Sequence, residues 1–289
     1  MSKWSGRTKG FVLGYQIFIF IIKRLGVPVA YFLLYFVVPV YYIFLLKARK
    51  NLAATFKNIP QLKSSNLQVM IYRNFHNLGK SLIDNFAILT KWSSKYSCIQ
   101  EGGEYLIDLI TKSQPAILIS GHIGSWNIAG EFLKKQDGIV NVVMFDGEAK
   151  KIKRLVEKTI GESNYKIIAI KDDLSHLFKI KTAVDNGELI CIHADRYLEG
   201  ANTFTTKLFN KKVQLPLGPF AIASKLNIPY AFVFAIKESM YKYQFSATKP
   251  QSSNDPQIIA NEFIEVLSKK LSNNPEQWFN YFNIFEYKK

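Results

Sequence analysis

The chain is poor in the residues that most often carry metal or redox chemistry. Its 289 residues include two cysteines, Cys98 and Cys191. That is too few for a disulfide framework or a cysteine-rich zinc site. Four histidines, His76, His122, His176 and His193, are the whole supply of imidazole. Neither Gly-x-x-x-x-Gly-Lys nor Gly-x-Gly-x-x-Gly occurs, so no familiar phosphate-binding loop is present. Ser81, Ser120 and Ser125 lack a Gly-x-Ser-x-Gly setting, which argues against a serine hydrolase. No metal and no organic cofactor is expected.

Acidic residues are missing from the first 83 positions, where twelve Lys and Arg stand; the first acid is Asp84. Most of the net charge of +16 therefore sits in the N-terminal third. Such a balance favours an anionic membrane surface, an acidic partner or nucleic acid. Here the basic residues flank apolar runs instead of forming a polar stripe, which favours lipid over nucleic acid. With 48% hydrophobic and 21% charged residues the chain is globular, not disordered.

Residues 11–22 form a first apolar run, and 25–46 a second of 22 residues without a charge. About 20 apolar residues suffice to cross a bilayer as a helix, so only the second is long enough. Pro28 and Pro39 are expected to kink it, and its tyrosines fit a membrane interface. A single span, a re-entrant helix and an interfacial hairpin all stay open. The basic cluster after Leu46 places the rest of the chain in the cytoplasm, although the basic N-terminus pulls the same way. Residues 1–50 are read as a basic, hydrophobic membrane anchor and 51–289 as the catalytic domain.

Leu67, Met70, Ile71, Phe75, Leu78, Leu82 and Phe86 recur at helical steps, which predicts an amphipathic helix within 60–93. From 115 onward short runs rich in Ile, Val and Phe read as strands: 116–120, 139–145, 166–170, 188–193, 229–236 and 241–247. Helical stretches lie between them at 125–135, 148–160, 173–185 and 218–226, and another covers 256–271. The alternation predicts an α/β fold with a central, mostly parallel sheet flanked by helices.

The most informative window is AILISGHIGSWNIAGEFL, residues 116–133. A strand ends at Ser120-Gly121, and His122 follows at its carboxyl edge, where α/β sheets bind ligands. A helix starts within a few residues, and amides at a helix start can stabilise an oxyanion. Gly121-His122-Ile123-Gly124-Ser125-Trp126-Asn127 resembles the His-x-x-x-x-Asp/Glu motif of the lysophospholipid acyltransferase superfamily. It is nearest the bacterial lipid A late acyltransferase branch, whose motif often reads Gly-His-x-Gly-Asn-Trp-Glu. Ala194-Asp195-Arg196 after a strand, Leu215-Pro216-Leu217-Gly218-Pro219-Phe220, Ile228-Pro229 and Pro275-Glu276-Gln277-Trp278-Phe279 continue the resemblance in order. The tail lacks the His-Arg often found after Pro-Glu-Gln-Trp, and there it looks more like acyltransferases of aryl-polyene and flexirubin-type lipids.

The resemblance implies a membrane-associated acyltransferase on the cytoplasmic face of a bacterial inner membrane. It would move a fatty acyl group from acyl carrier protein or CoA to a hydroxyl of a glycolipid, lysolipid or lipid A-like acceptor. An acidic carrier protein suits a basic enzyme. His122 would be the general base, since a neutral imidazole suits that task at neutral pH. Asn127 stands where the family has its acid. Its carbonyl can orient the ring without a charge, or its presence marks an inactive lipid-binding protein on the same fold. Glu131, one turn on, is either a substitute carboxylate or a solvated surface residue. Backbone amides at Gly124 and Ser125 would hold the oxyanion. Asp195, Arg196, Gly218 and Pro219 would contact substrate, Arg196 by gripping an anionic group or instead by bracing a loop with Asp195. His193, inside a strand, reads as a packed core histidine.

Overall fold

The computed structural model describes residues 12–125, 127–128, 130, 138–145, 165–171, 173–198, 200–282 and 284–285. The helix expected over 148–160 and the side chain of Glu131 lie outside them.

Seven strands form one sheet in the order β1-β9-β8-β2-β5-β3-β4. They are β1 Ser97–Glu101, β2 Ala116–Ser120, β3 Val140–Phe145, β4 Lys166–Ile170, β5 Leu189–His193, β8 Tyr230–Lys237 and β9 Lys242–Ala247. Only β8 and β9 pair antiparallel; every other neighbouring pair is parallel. A separate hairpin joins β6 Thr203–Leu208 to β7 Lys211–Pro216. The six apolar runs are strands with ends shifted by one residue at most. Lys207, Lys211 and Lys212 lie exposed on the hairpin, as a solvated basic face.

Period-two alternation divides the core between the two faces of the sheet. Ala116, Leu118, Val233 and Phe245 face one layer, while Ile117, Ile119, Phe232 and Phe234 face the other. The first layer contains α1 Val12–Leu25, α2 Val27–Phe44, α3 Leu46–Phe56, α4 Leu67–Ala87 and α5 Gly103–Thr111. The second contains α6 Ser175–Asp185, α7 Leu217–Leu226 and α8 Pro256–Asn273. The helix read within 60–93 starts at Leu67 because Asn66 caps it, accepting from the amides of Gln68 and Val69.

Among the described residues α2 is the one helix long and apolar enough to cross a membrane. Pro28 sits in its first turn, where a missing N–H is harmless, and the helix continues through Pro39. Val27, Ala30, Tyr31, Leu34 and Val38 make a stripe at helical spacing that packs on α4 and joins the domain core. Packing is thus continuous across residue 50. The opposite face leaves Phe32, Phe36, Ile43 and Phe44 to the outside, Phe44 with 77% of its surface exposed.

A buried acid locks this helical layer to the sheet. Asp84 of α4 has no exposed surface. Its Oδ1 accepts from the hydroxyls of Tyr31 at 2.6 Å and Tyr96 at 2.7 Å. Its Oδ2 accepts from Lys237 Nζ at 2.6 Å and from the Tyr243 hydroxyl. A charge this deep is tolerable only when paired and fully bonded. Asp84→Ala strands one ammonium and three hydroxyls together. It is expected to cost about 3–5 kcal/mol, as loss of one partner of a buried pair does. Asp84→Asn, which keeps one acceptor oxygen, should cost less. Chemical denaturation of the two variants checks the order.

Candidate active site

Strands β2 and β5 lie side by side and parallel, with Ser120 opposite His193. Two residues beyond that pair the chain carries His122 on one side and Asp195 on the other. The sheet thus brings together two groups 73 positions apart. Gly121 permits the approach: a Cβ there would sit 3.3 Å from Asp195 Cγ.

The Asp195 carboxylate is buried and saturated with N–H donors. Its Oδ1 lies 2.6 Å from His122 Nδ1. Its Oδ2 accepts from the His122 backbone amide at 2.9 Å and from Trp278 Nε1 at 2.9 Å. Burial alone would raise its pKa. The His122 ring, through charge and hydrogen bond, together with Arg196 and His193, instead holds the carboxyl well below its usual range. His122 is pulled below 6.5 by burial first and by the Arg196 cation second, against the opposing pull of Asp195. An ionised carboxylate only accepts, so Nδ1 of the neutral ring carries the proton and Nε2 the lone pair. His193 Nδ1 lies 3.3 Å from that Nε2, with the two rings edge to face at 4.4 Å between centroids. Its pKa is pushed down to about 3, by burial first and by His122 second.

This arrangement corrects the reading of Asn127. His122 Nδ1 is taken by Asp195, not by the Asn127 carbonyl. Asn127 stands at the start of the following helix, partly exposed. The carboxylate expected five residues downstream comes instead from the neighbouring strand. Asp195 is accordingly the hydrogen-bond partner of the imidazole. His193 is likewise no core filler, since its ring meets His122.

The oxyanion assignment also changes. The Gly124 amide donates to the Gln277 carbonyl at 3.0 Å, and the Ser125 amide donates to the Ala235 carbonyl at 2.8 Å. Neither N–H is left for a ligand. Ser125 Oγ donates to Asn85 Oδ1 at 2.7 Å. Gly124 has φ +71°, and a Cβ would lie 2.0 Å from the Ala235 oxygen, so only glycine fits this turn.

The segment after α8 braces the whole loop, a role that the sequence did not reveal. Gln277 forms a two-way clamp on Lys237, accepting from its amide at 2.9 Å and donating to its carbonyl at 2.8 Å. The Phe279 amide donates to the His122 carbonyl at 2.7 Å. Asn280 Nδ2 donates to the Asp195 carbonyl at 3.0 Å. Arg196 donates to the Phe279 carbonyl and lies against the Phe282 ring, partners other than the Asp195 pairing expected from sequence. Gly218, exposed, and Pro219, buried, sit in the first turn of α7, outside this hydrogen-bonded group. A cavity of about 340 Å³ adjoins the loop; Gly124 and Phe279 line it with Tyr31, Lys80, Lys237 and Tyr243, but His122 does not. Among the described residues no group of three or more His, Cys, Asp or Glu could hold a metal ion.

A family model described as bacterial lipid A biosynthesis acyltransferase matches residues 8–285. Among solved structures, the 1-acyl-sn-glycerophosphate (LPA) acyltransferase PlsC from Thermotoga maritima is similar at 13% identity, over 87% of this chain and 97% of that one, with a TM-score of 0.40. None of the curated proteins compared matches.

The buried pair sets a measurable expectation for His122. Its imidazole should titrate below pH 6.5. Asp195→Asn should lower that midpoint further, because it removes the charge that favours the imidazolium. NMR titration of isotope-labelled histidine, with only four rings to assign, measures both.

Proposed function

Because the chain belongs to the bacterial lipid A biosynthesis acyltransferase family, and is an acyltransferase of lipid A or lysophospholipid type, we propose that His122 and Asp195 are its base pair. The acceptor is a hydroxyl on a glycolipid, lysolipid or polyene lipid, and the donor is an acyl thioester on acyl carrier protein. The observation that carries this reading is the 2.6 Å contact between a buried carboxylate and His122 Nδ1 at the carboxyl edge of the sheet. The imidazole accepts the hydroxyl proton as the oxygen attacks the thioester carbonyl carbon. The C–S bond then breaks, and the imidazolium returns its proton to the leaving thiolate. Asp195 holds the tautomer and stabilises the transient imidazolium without taking a proton itself. The inactive alternative rested on Asn127 replacing an acid, and it loses that support once Asp195 occupies the acid's position.

The N-terminal segment serves as an interfacial anchor and not as a free-standing span. One face of α2 is committed to α4 through Leu34 and Val38 and to Asp84 through Tyr31. Its other face, with Phe20 of α1, is left for acyl chains and headgroups. The basic residues of 1–50 add attraction to anionic lipid on the cytoplasmic side.

With acyl–carrier-protein donor and a lysolipid acceptor, His122→Ala and Asp195→Asn should each slow transfer roughly 10²–10⁴-fold. Asn127→Leu should stay within a few-fold of the natural protein; a loss as large as that of Asp195→Asn would return the orienting role to Asn127. Replacing Phe20, Phe32, Phe36 and Phe44 together by Ser should weaken binding to vesicles in a flotation assay while leaving the melting temperature nearly unchanged. High salt alone should not release the intact protein, because apolar burial is not screened.

A further inference from the structure

The lone pair that a base at His122 would use is already occupied. Its Nδ1–H faces a carboxylate that can only accept, so Nε2 is the bare nitrogen. The atom found 3.3 Å from that Nε2 is His193 Nδ1. Two bare nitrogens would repel, so His193 donates there and carries its proton on Nδ1. A neutral imidazole has one N–H, so His193 Nε2 is left as the open acceptor. The tautomers of both rings are thus set from one end by Asp195. His193 closes β5, beside the end of β2, and is half-buried.

We propose that His193 is a second catalytic residue, whose Nε2 meets the acceptor hydroxyl while its Nδ1–H passes a proton to His122 Nε2. The inference rests on the acyl-transfer reading and deepens it. As the acceptor O–H bond breaks, its proton goes to His193 Nε2, the His193 Nδ1 proton goes to His122 Nε2, and the oxygen forms its bond to the thioester carbon. His193 ends neutral with its tautomer reversed, and the positive charge rests on His122 against the Asp195 carboxylate. When the C–S bond breaks, both transfers run backward: His122 returns a proton to His193 Nδ1, and His193 Nε2–H protonates the thiolate. Atoms and charge balance, and the resting tautomers are restored. The direction follows from the surroundings. His193, half-buried and without a carboxylate hydrogen bond among the described residues, holds a charge poorly, whereas His122 has Asp195. Arg196 is the other charge acting on both rings, and it disfavours a second cation.

Two measurements test this. In histidine-labelled protein at pH 7, nitrogen NMR should show His193 protonated at Nδ1 and bare at Nε2; the opposite tautomer would overturn the relay whatever the activity. The second uses hydrolysis of lauroyl–acyl carrier protein, in which water replaces the acceptor hydroxyl, and transfer to a lysophospholipid. His193→Asn places an amide N–H near the Nδ1 position but offers no second nitrogen, so it can orient His122 and cannot relay. The rate should fall roughly 10²-fold or more in His193→Asn and in His193→Ala alike, with the donor KM and the melting temperature little changed. In mixed H₂O and D₂O the natural protein should give a curved proton inventory and the Asn variant a linear one. Near-normal turnover in His193→Asn beside a slow His193→Ala would make His193 a positioning donor only. Near-normal turnover in both would make it a packing residue; either result overturns the proposal. A natural protein inactive on every donor and acceptor would instead defeat the acyl-transfer reading, and the tautomer measurement would still decide the relay geometry.

Discussion

Everything at the carboxyl edge of the sheet answers to the Asp195 carboxylate. An ionised oxygen pair removed from water needs a donor for each exposed lone pair or it would neutralise or unfold the site. Three N–H groups meet that need: the His122 amide, the His122 ring and the Trp278 indole. Each comes from a different demand on the chain. The first fixes the turn after β2, the second fixes an imidazole tautomer, and the third draws the segment after α8 across the loop. The glycines at 121 and 124 are the steric counterpart, since a Cβ at either would press on Asp195 or on the Ala235 carbonyl. The site is therefore pre-set by the satisfaction of one buried charge.

Asp84 offers a contrast within the same molecule. It is equally buried and equally well bonded, yet its partners are an ammonium and three phenols. None of those donors can pass a proton at neutral pH and be left with a reactive lone pair. A carboxylate against Lys and Tyr is a rivet, and a carboxylate against an imidazole also fixes a tautomer and leaves the ring's other nitrogen bare. The difference lies wholly in what the acid faces.

The strands were readable because fully buried parallel strands are short, dense runs of Ile, Val and Phe. The edge strand β1 was missed because Ser97–Glu101 is mostly exposed and carries no such run. The β6–β7 hairpin was missed because TFTTKL and KKVQLP alternate with polar and basic residues and close on a proline. His122 was legible from its place after a strand and before a helix. Its partner was not: sequence spacing favours a group five residues away on the next helix, whereas β2 finds its neighbour in β5 only after β3 and β4 have been laid down beyond it. The Gly124 and Ser125 amides looked available for the same reason, because their acceptors, Gln277 and Ala235, are more than a hundred residues distant. Trp278 stood out only through family resemblance, and nothing local in Pro-Glu-Gln-Trp-Phe announces that its indole reaches a carboxylate.

Anchor and site are less separable than a boundary at residue 50 implies. Tyr31 belongs to the apolar helix, binds Asp84, and lines the same cavity as Gly124 and Phe279 of the His122 loop. Lys237 bonds Asp84 through its ammonium and Gln277 through its backbone. A short chain of packed groups thus runs from the apolar helix α2 to the turn that carries His122. Removing 1–50 would strip the stripe of α2 from the core and orphan part of the Asp84 cluster, so loss of activity after such a deletion would say little about membranes. Changing only the outward face of α1 and α2 leaves that chain intact, so it is the change that tests the proposed attachment apart from the site.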